Sequence, residues 1–186
     1  MIATAPDGPA LGLIELCSIA RGLVVCDAMV KRAPVRLVRA GSTHPGKYIV
    51  QVRGGVDEVD EAMKAGLELA REALIDRVFL PFPHEQLDAL LAAGSRTAPL
   101  ESIGVLEAFS IAATIRAADA SLKAAEVDGL RLVLADQIGG KGHFVFTGLL
   151  HDAEEALKAG RAAIGETLLA GCELIANPHA DVGRAF

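Results

Sequence analysis

The segment that begins at Ala10 returns from Ser102 onward, so this chain must fold as something built twice. At an offset of 92 residues Gly12 matches Gly104, Glu15 matches Glu107, and Ser18-Ile19-Ala20 matches Ser110-Ile111-Ala112. Asp27-Ala28 matches Asp119-Ala120, and Lys31, Ala33 and Val35 match Lys123, Ala125 and Val127. The offset then slips to 94, pairing Gly46-Lys47 with Gly140-Lys141, Gly54 with Gly148, and Lys64-Ala65-Gly66 with Lys158-Ala159-Gly160. Asp128-Gly129, a turn-forming pair, is the expected insertion. Near the end of each copy Pro83-His84 answers Pro178-His179 at an offset of 95. A period this long exceeds a solenoid unit and predicts two domains of about 85 to 90 residues. The expected division is a mobile tail over residues 1–9, a first domain over 10–93, a linker over 94–100 and a second domain over 101–186.

Each copy reads strand, helix, strand, strand, helix, strand. Leu11 to Leu16 is a short apolar run, and Ser18 can N-cap a helix whose apolar positions are Ile19, Leu23, Cys26 and Val30 and which stops before Pro34. Residues 35–39 and 47–53 are strand-like and are joined through Gly41-Ser42-Thr43-His44-Pro45-Gly46 as a hairpin. Asp57 opens a second helix carrying Val59, Met63, Gly66, Leu67 and Ala70, and Val78-Phe79-Leu80 supplies a last strand before Pro81. The expected fold class is α+β and ferredoxin-like, two tandem domains that each place helices on one face of an antiparallel sheet.

Composition narrows the function. With 18 Lys+Arg against 24 Asp+Glu the formal net charge is −6, which disfavours a nucleic-acid partner, because tracking phosphates needs a basic face. No apolar run reaches the roughly 18 to 20 residues of a membrane span, and the N-terminus lacks a basic segment leading into an apolar one, so a cytoplasmic protein without a membrane partner is expected. Cys17, Cys26 and Cys172 form no CxxC pair and no ligand set with the five histidines, which points to small buried side chains.

A residue present in both copies answers a constraint shared by both, more often packing, capping or assembly than a single chemical act. Glu15 and Glu107, Asp27 and Asp119, and Lys31 and Lys123 are therefore read as strand-end and helix-face charges in salt bridges or at subunit contacts. No nucleophile, base and orienting group accompany them, and no catalytic residue is expected. The hairpin tips differ, with Ser42-Thr43-His44-Pro45-Gly46-Lys47 in copy one and Asp136-Gln137-Ile138-Gly139-Gly140-Lys141 in copy two. Gly139-Gly140-Lys141-Gly142 lacks the glycine spacing and the Ser or Thr of a phosphate loop and reads as a glycine turn with positive φ. Such a turn also presents backbone N–H groups to a polar solute or anion. His84 and His179 share the Pro-His context, and His143 and His151 are isolated.

Leu11-Gly12-Leu13-Ile14-Glu15-Leu16 with Ser18 to Gly22, Asp27-Ala28-Met29-Val30-Lys31 and Pro45-Gly46-Lys47 resembles a bacterial microcompartment (BMC) shell domain. Ile103-Gly104-Val105-Leu106-Glu107 with Asp119-Ala120-Ser121-Leu122-Lys123 and Ile138-Gly139-Gly140-Lys141 resembles another. The arrangement is similar to the unpermuted tandem-domain trimers of the propanediol-utilisation type. That resemblance implies a non-enzymatic homotrimer, a flat pseudohexamer that tiles with shell hexamers and pentamers into the facets of a protein shell around enzymes in the bacterial cytoplasm. It places the pore at Ser42, Thr43, His44, Pro45, Gly46, Gln137, Ile138, Gly139 and Gly140, open to small polar metabolites. It places the disc edge at Lys31 and Lys123, with His84 and His179 in the edge motif.

Two departures from the family pattern carry consequences. Relatives can hold an axial iron–sulfur cluster through a cysteine where this chain has His44, and thiolates are the usual cluster ligands, so no cofactor is the first expectation. Three symmetry-related His44 imidazoles holding a metal ion is the alternative. The Pro-Arg-Pro-His edge motif is broken, reading Pro81-Phe82-Pro83-His84 and Ala176-Asn177-Pro178-His179. An enzyme or small-ligand sensor on the same fold is a third reading, motivated only by fold class and the glycine tip.

Overall fold

The computed structural model describes residues 8–135 and 138–185. It resolves into two compact units that divide at Pro83/His84. In the first, β1 (Ala10–Leu16), α1 (Ile19–Arg32), β2 (Arg36–Thr43), β3 (Lys47–Gly54), α2 (Val56–Ala70) and β4 (Leu74–Leu80) form a four-stranded sheet in the order β2-β3-β1-β4. Every pairing is antiparallel. The second unit begins with α3 (Glu85–Ala93) and repeats the plan with β5 (Ser102–Ala108), α4 (Ile111–Ala124), β6 (Asp128–Leu134), β7 (Gly142–Gly148), α5 (Leu150–Ile164) and β8 (Leu169–Ile175). Its sheet order is β6-β7-β5-β8, again antiparallel. The expected α+β class, with helices on one face of each sheet, is what the chain adopts.

Local chemistry explains the repeated helix starts. The Ser18 hydroxyl accepts from the Arg21 N–H at 3.2 Å, and the Ser110 hydroxyl accepts from the Ala113 N–H at 3.1 Å. Each satisfies one of the donors a helix start leaves unpaired. Gly12, Ile14 and Leu16 point from β1 toward the helices, where Val50, Met29 and Val59 complete the core.

Three sequence expectations shift. Helix α3, which lies in residues the sequence reading gave to the first domain, packs on β6 and α4 in the second unit, and the first unit ends at Pro83. The His84 imidazole starts this helix by accepting the Gln86 N–H, and Gly94, at φ +74°, ends it. The helix was not read from the sequence because its caps are a histidine and a linker-like Gly-Ser. Second, α1 buries Gly22, Val25 and Met29, whereas Ile19, Leu23 and Val30 are exposed. Its apolar residues cover two adjoining strips of the helix, and the sequence reading chose the outer one. Third, the tail is pinned at its end: Gly8 lies against Gly54-Gly55, and the Pro9 carbonyl accepts from Arg53 at 3.1 Å. Residues 1–7 lie outside the described residues.

Candidate functional site: hairpin tips and the repeated edge

Both hairpins turn on residues with positive φ. In copy one β2 runs through Thr43 and the turn is His44-Pro45-Gly46, with Gly46 at φ +103° and its N–H donating to the Thr43 carbonyl at 2.9 Å. Ser42, His44, Pro45 and Gly46 are exposed, and Thr43 is buried. In copy two Ala135 (φ +64°), Gly139 (φ +66°) and Gly140 (φ +80°) shape the turn, and the Ala135 N–H donates to the Lys141 carbonyl at 2.9 Å. Positive φ at both glycines agrees with the turn read from the sequence. Gly139 is exposed, Ile138 half-buried and Gly140 buried, while Gln137 lies outside the described residues.

The duplicated glutamates anchor the hairpin bases. Lys47 donates to Glu15 at 2.7 Å, with the Glu15 side chain wholly buried, and Lys141 donates to Glu107 at 3.0 Å with both partners about two-fifths exposed. Sequence reasoning set His143 aside as isolated, but β5–β7 register places it opposite Glu107. Burial pushes its imidazole below the ordinary range, Arg131 and Lys141 push the same way, and Glu107 opposes them. The signal lay in the β-strand pairing, which composition does not show.

The tips offer no thiol. Cys17 precedes α1, Cys26 lies within it, and Cys172 lies in β8. Burial raises the thiols of Cys26 and Cys172 above their usual range, which disfavours the thiolate a metal needs. The donor set at the tip does not fit a thiolate-ligated iron–sulfur cluster. Among the described residues of one chain no group of three His, Cys, Asp or Glu is placed to hold a metal ion. Among the described residues no helix is long and apolar enough to cross a membrane.

The edge candidates separate into two clusters. In copy one Lys31 pairs with Asp27 at 2.6 Å, both exposed. In copy two Lys123 pairs with Asp119 at 2.6 Å, and the second oxygen of a nearly buried Asp119 accepts the peptide N–H of His84 at 2.7 Å. Lys123 and His84, singled out separately, thus meet through one carboxylate and line a polar surface recess with Gln86, Glu126 and Asp128. His179 is not part of either cluster in this chain; its Nδ1 accepts the Asp181 N–H at 3.2 Å.

Known proteins decide what this arrangement belongs to. The model of the BMC domain family matches residues 10–83 and again 102–178. The chain belongs to the BMC domain family. The bacterial microcompartment shell protein PduT of Citrobacter freundii is 34% identical over 176 residues, spanning 94% of this chain and 96% of that protein. The crystal structure of a microcompartment protein from Desulfitobacterium hafniense DCB superposes with a TM-score of 0.79 at 35% identity, covering 94% of this chain and 98% of that one. The carboxysome assembly protein CcmO of Synechococcus elongatus is 29% identical over 167 residues, 83% of this chain and 59% of that protein. This chain is accordingly a tandem BMC shell protein of a bacterial microcompartment, similar to PduT over nearly its whole length.

Proposed function

We propose that this BMC protein acts without catalysis, as a homotrimer that forms a pseudohexameric tile of a microcompartment facet and carries a central pore for small polar solutes. The observation that carries this reading is a contrast between the repeats. Ile111, Ile115 and Leu122 on α4 are buried, at 0 to 3% exposure, whereas their counterparts Ile19, Leu23 and Val30 on α1 are 48, 59 and 40% exposed. Arg32, on the opposite side of α1, reaches Glu61 of α2 at 3.1 Å, so the open stripe is the flank facing away from α2. Leu37 and Val38 on edge strand β2 are exposed as well. In the second unit a separate apolar groove of about 510 Å³ lies between α5 and β8, lined by Leu157, Leu169, Cys172 and Leu174.

A monomer rarely leaves such a stripe in water. A chain with two different open faces associates head to tail, and three two-domain chains close a ring of six domains. The hairpin tips supply Ser42, His44 and exposed glycine backbone to an axis in such a ring. Membership of the family supports the further reading that the tile joins other shell proteins through Lys31 and Lys123 and that the shell encloses enzymes. Native mass spectrometry of the untagged protein under anaerobic conditions tests the reading. The expected species is about 58 kDa, three times the 19.3 kDa chain. A monodisperse monomer at micromolar concentration would overturn it, and one metal ion's extra mass on the trimer would instead favour ligation by three His44 imidazoles.

A further inference from the structure

Helix α3 follows the first repeat in sequence, yet its contacts lie in the second unit. There the peptide N–H of His84 donates to Oδ1 of Asp119 at 2.7 Å, while Oδ2 of the same carboxylate holds the Lys123 ammonium at 2.6 Å. Gln86 then bridges to β6: its side-chain amide donates to the Val127 carbonyl at 3.1 Å and its Oε1 accepts the Gly129 N–H at 3.0 Å. Leu90 lies over Gly129, where an added Cβ would fall 2.5 Å from Leu90 Cδ1. This lead-in and its receiving flank form a matched pair.

The end of the chain carries a second lead-in. Pro178-His179 follows β8 as Pro83-His84 follows β4. Nδ1 of His179 accepts the Asp181 N–H at 3.2 Å, as Nδ1 of His84 accepts the Gln86 N–H at 3.3 Å. The Val182 N–H donates to the His179 carbonyl at 2.9 Å, as the Leu87 N–H donates to the His84 carbonyl at 2.9 Å. The first unit carries a second receiving flank. Asp27, the counterpart of Asp119, holds Lys31 through Oδ2 at 2.6 Å, but its side chain is 58% exposed against 7% for Asp119. In the same unit Ile19, Leu23 and Val30 of α1 and Leu37 and Val38 of β2 are also exposed.

We infer that the His179 peptide of one chain is captured by the Asp27 carboxylate of the next, so that each junction between chains repeats the His84–Asp119 bond found inside the chain. The inference rests on the trimer reading and names its ring-closing contact. One lead-in and one receiver remain on each chain, and a head-to-tail ring of identical chains uses both without remainder. A peptide N–H donating to a carboxylate is a charge-assisted bond, strengthened as the flanking apolar residues exclude water. Val182, which lies against Ile103, Leu130 and Val145 of its own unit, is downstream of the captured peptide and need not move.

The test uses the full chain. Asp27 sits on an exposed helix face, so Asp27→Ala leaves the fold intact, which a thermal melt verifies. On dilution followed by native mass spectrometry, Asp27→Ala is expected to dissociate at a concentration at least about tenfold higher than the parent. Lys31→Ala, which keeps the carboxylate, is expected to dissociate as the parent does. Independently, Lys31→Cys with Ala180→Cys, counterparts of Lys123 and Glu85 in the polar recess, is placed in a Cys17→Ser, Cys26→Ala, Cys172→Ala background. A short bis-maleimide is expected to give a covalent trimer from the pair and only monomer from either single cysteine. An unchanged dissociation midpoint for Asp27→Ala, or absence of the covalent trimer, in a protein whose parent is trimeric overturns this contact and leaves the shell reading standing. A monomeric parent overturns both.

Discussion

His143 shows how one residue's surroundings translate into a pH dependence. Its imidazole is held below the ordinary value by burial first, then by Arg131 and Lys141, against the opposing pull of Glu107. A histidine whose folded pKa is lowered destabilises the fold in acid, because the unfolded chain takes up its proton first, near the usual value of about 6.5. Stability of the second unit is therefore expected to fall as pH drops through that value and to level off below the folded pKa. His143→Gln should remove this component, so urea midpoints measured at pH 7.5 and 5.5 should lie closer together in the variant than in the parent. An equal spread in both would show that other groups carry the effect. The residues involved were visible in the sequence, but their meeting was not. Glu107 and His143 are 36 positions apart and become neighbours only through the β5–β7 register. The same holds for Glu15 and Lys47, where burial makes one copy of a duplicated pair a desolvated ion pair and leaves the other half in water.

Among the elements, the two repeats solve one packing problem in opposite ways. In copy one the helix is small and the strand large: an added Cβ at Gly22 would fall 2.2 Å from the Tyr48 ring. In copy two the helix is large and the strand small, with Thr114 over Gly142, where an added Cβ would fall 2.3 Å from the Thr114 hydroxyl. Thr114 stands 92 residues after Gly22 and Gly142 stands 94 after Tyr48, so these are equivalent contacts with the volumes exchanged. Gly22→Thr alone is expected to cost on the order of 1 to 3 kcal/mol by overpacking, even after the helix gains from losing a glycine. Adding Tyr48→Gly should cost less than the two single effects together, a positive coupling readable by a double-mutant cycle in chemical denaturation. Strict additivity would show that the helix re-seats without using that contact. The element order within each repeat, the β2–β3 hairpin and the start of α1 were legible because Ser18, the glycine turns and the alternating strands are local signals, whereas α3 was not. The buried strip of α1 was not, because Val25 and Met29 compete with Ile19, Leu23 and Val30, and only the position of α2 decides between them.

For the whole molecule, the duplicated lysines make the strongest statement about assembly. Lys31 and Lys123 each satisfy an aspartate four residues earlier on the same helix, yet remain 72% and 45% exposed. The Lys31–Asp27 pair, exposed on both sides, contributes about 0 to 1 kcal/mol to the fold, whereas Lys123 neutralises a nearly buried carboxylate. An ammonium has three donors, so each lysine keeps hydrogen-bonding capacity beyond its aspartate for a neighbouring tile. Recurrence at the same place in both repeats, with the ammonium exposed, supports the proposed role of these lysines in contact outside the chain. Lys31→Ala with Lys123→Ala is expected to lower the melting transition, because the nearly buried Asp119 loses its cation, yet to leave the trimer intact by native mass spectrometry while abolishing extended sheets in negative-stain electron microscopy. Lys31→Ala alone and Lys123→Ala alone should weaken sheets to a similar extent, because in the closed ring each lysine shares its aspartate with a histidine peptide. Sheets that persist in the double variant would move the tile contact elsewhere on the edge, to Phe82, whose ring is 67% exposed where the family motif carries arginine.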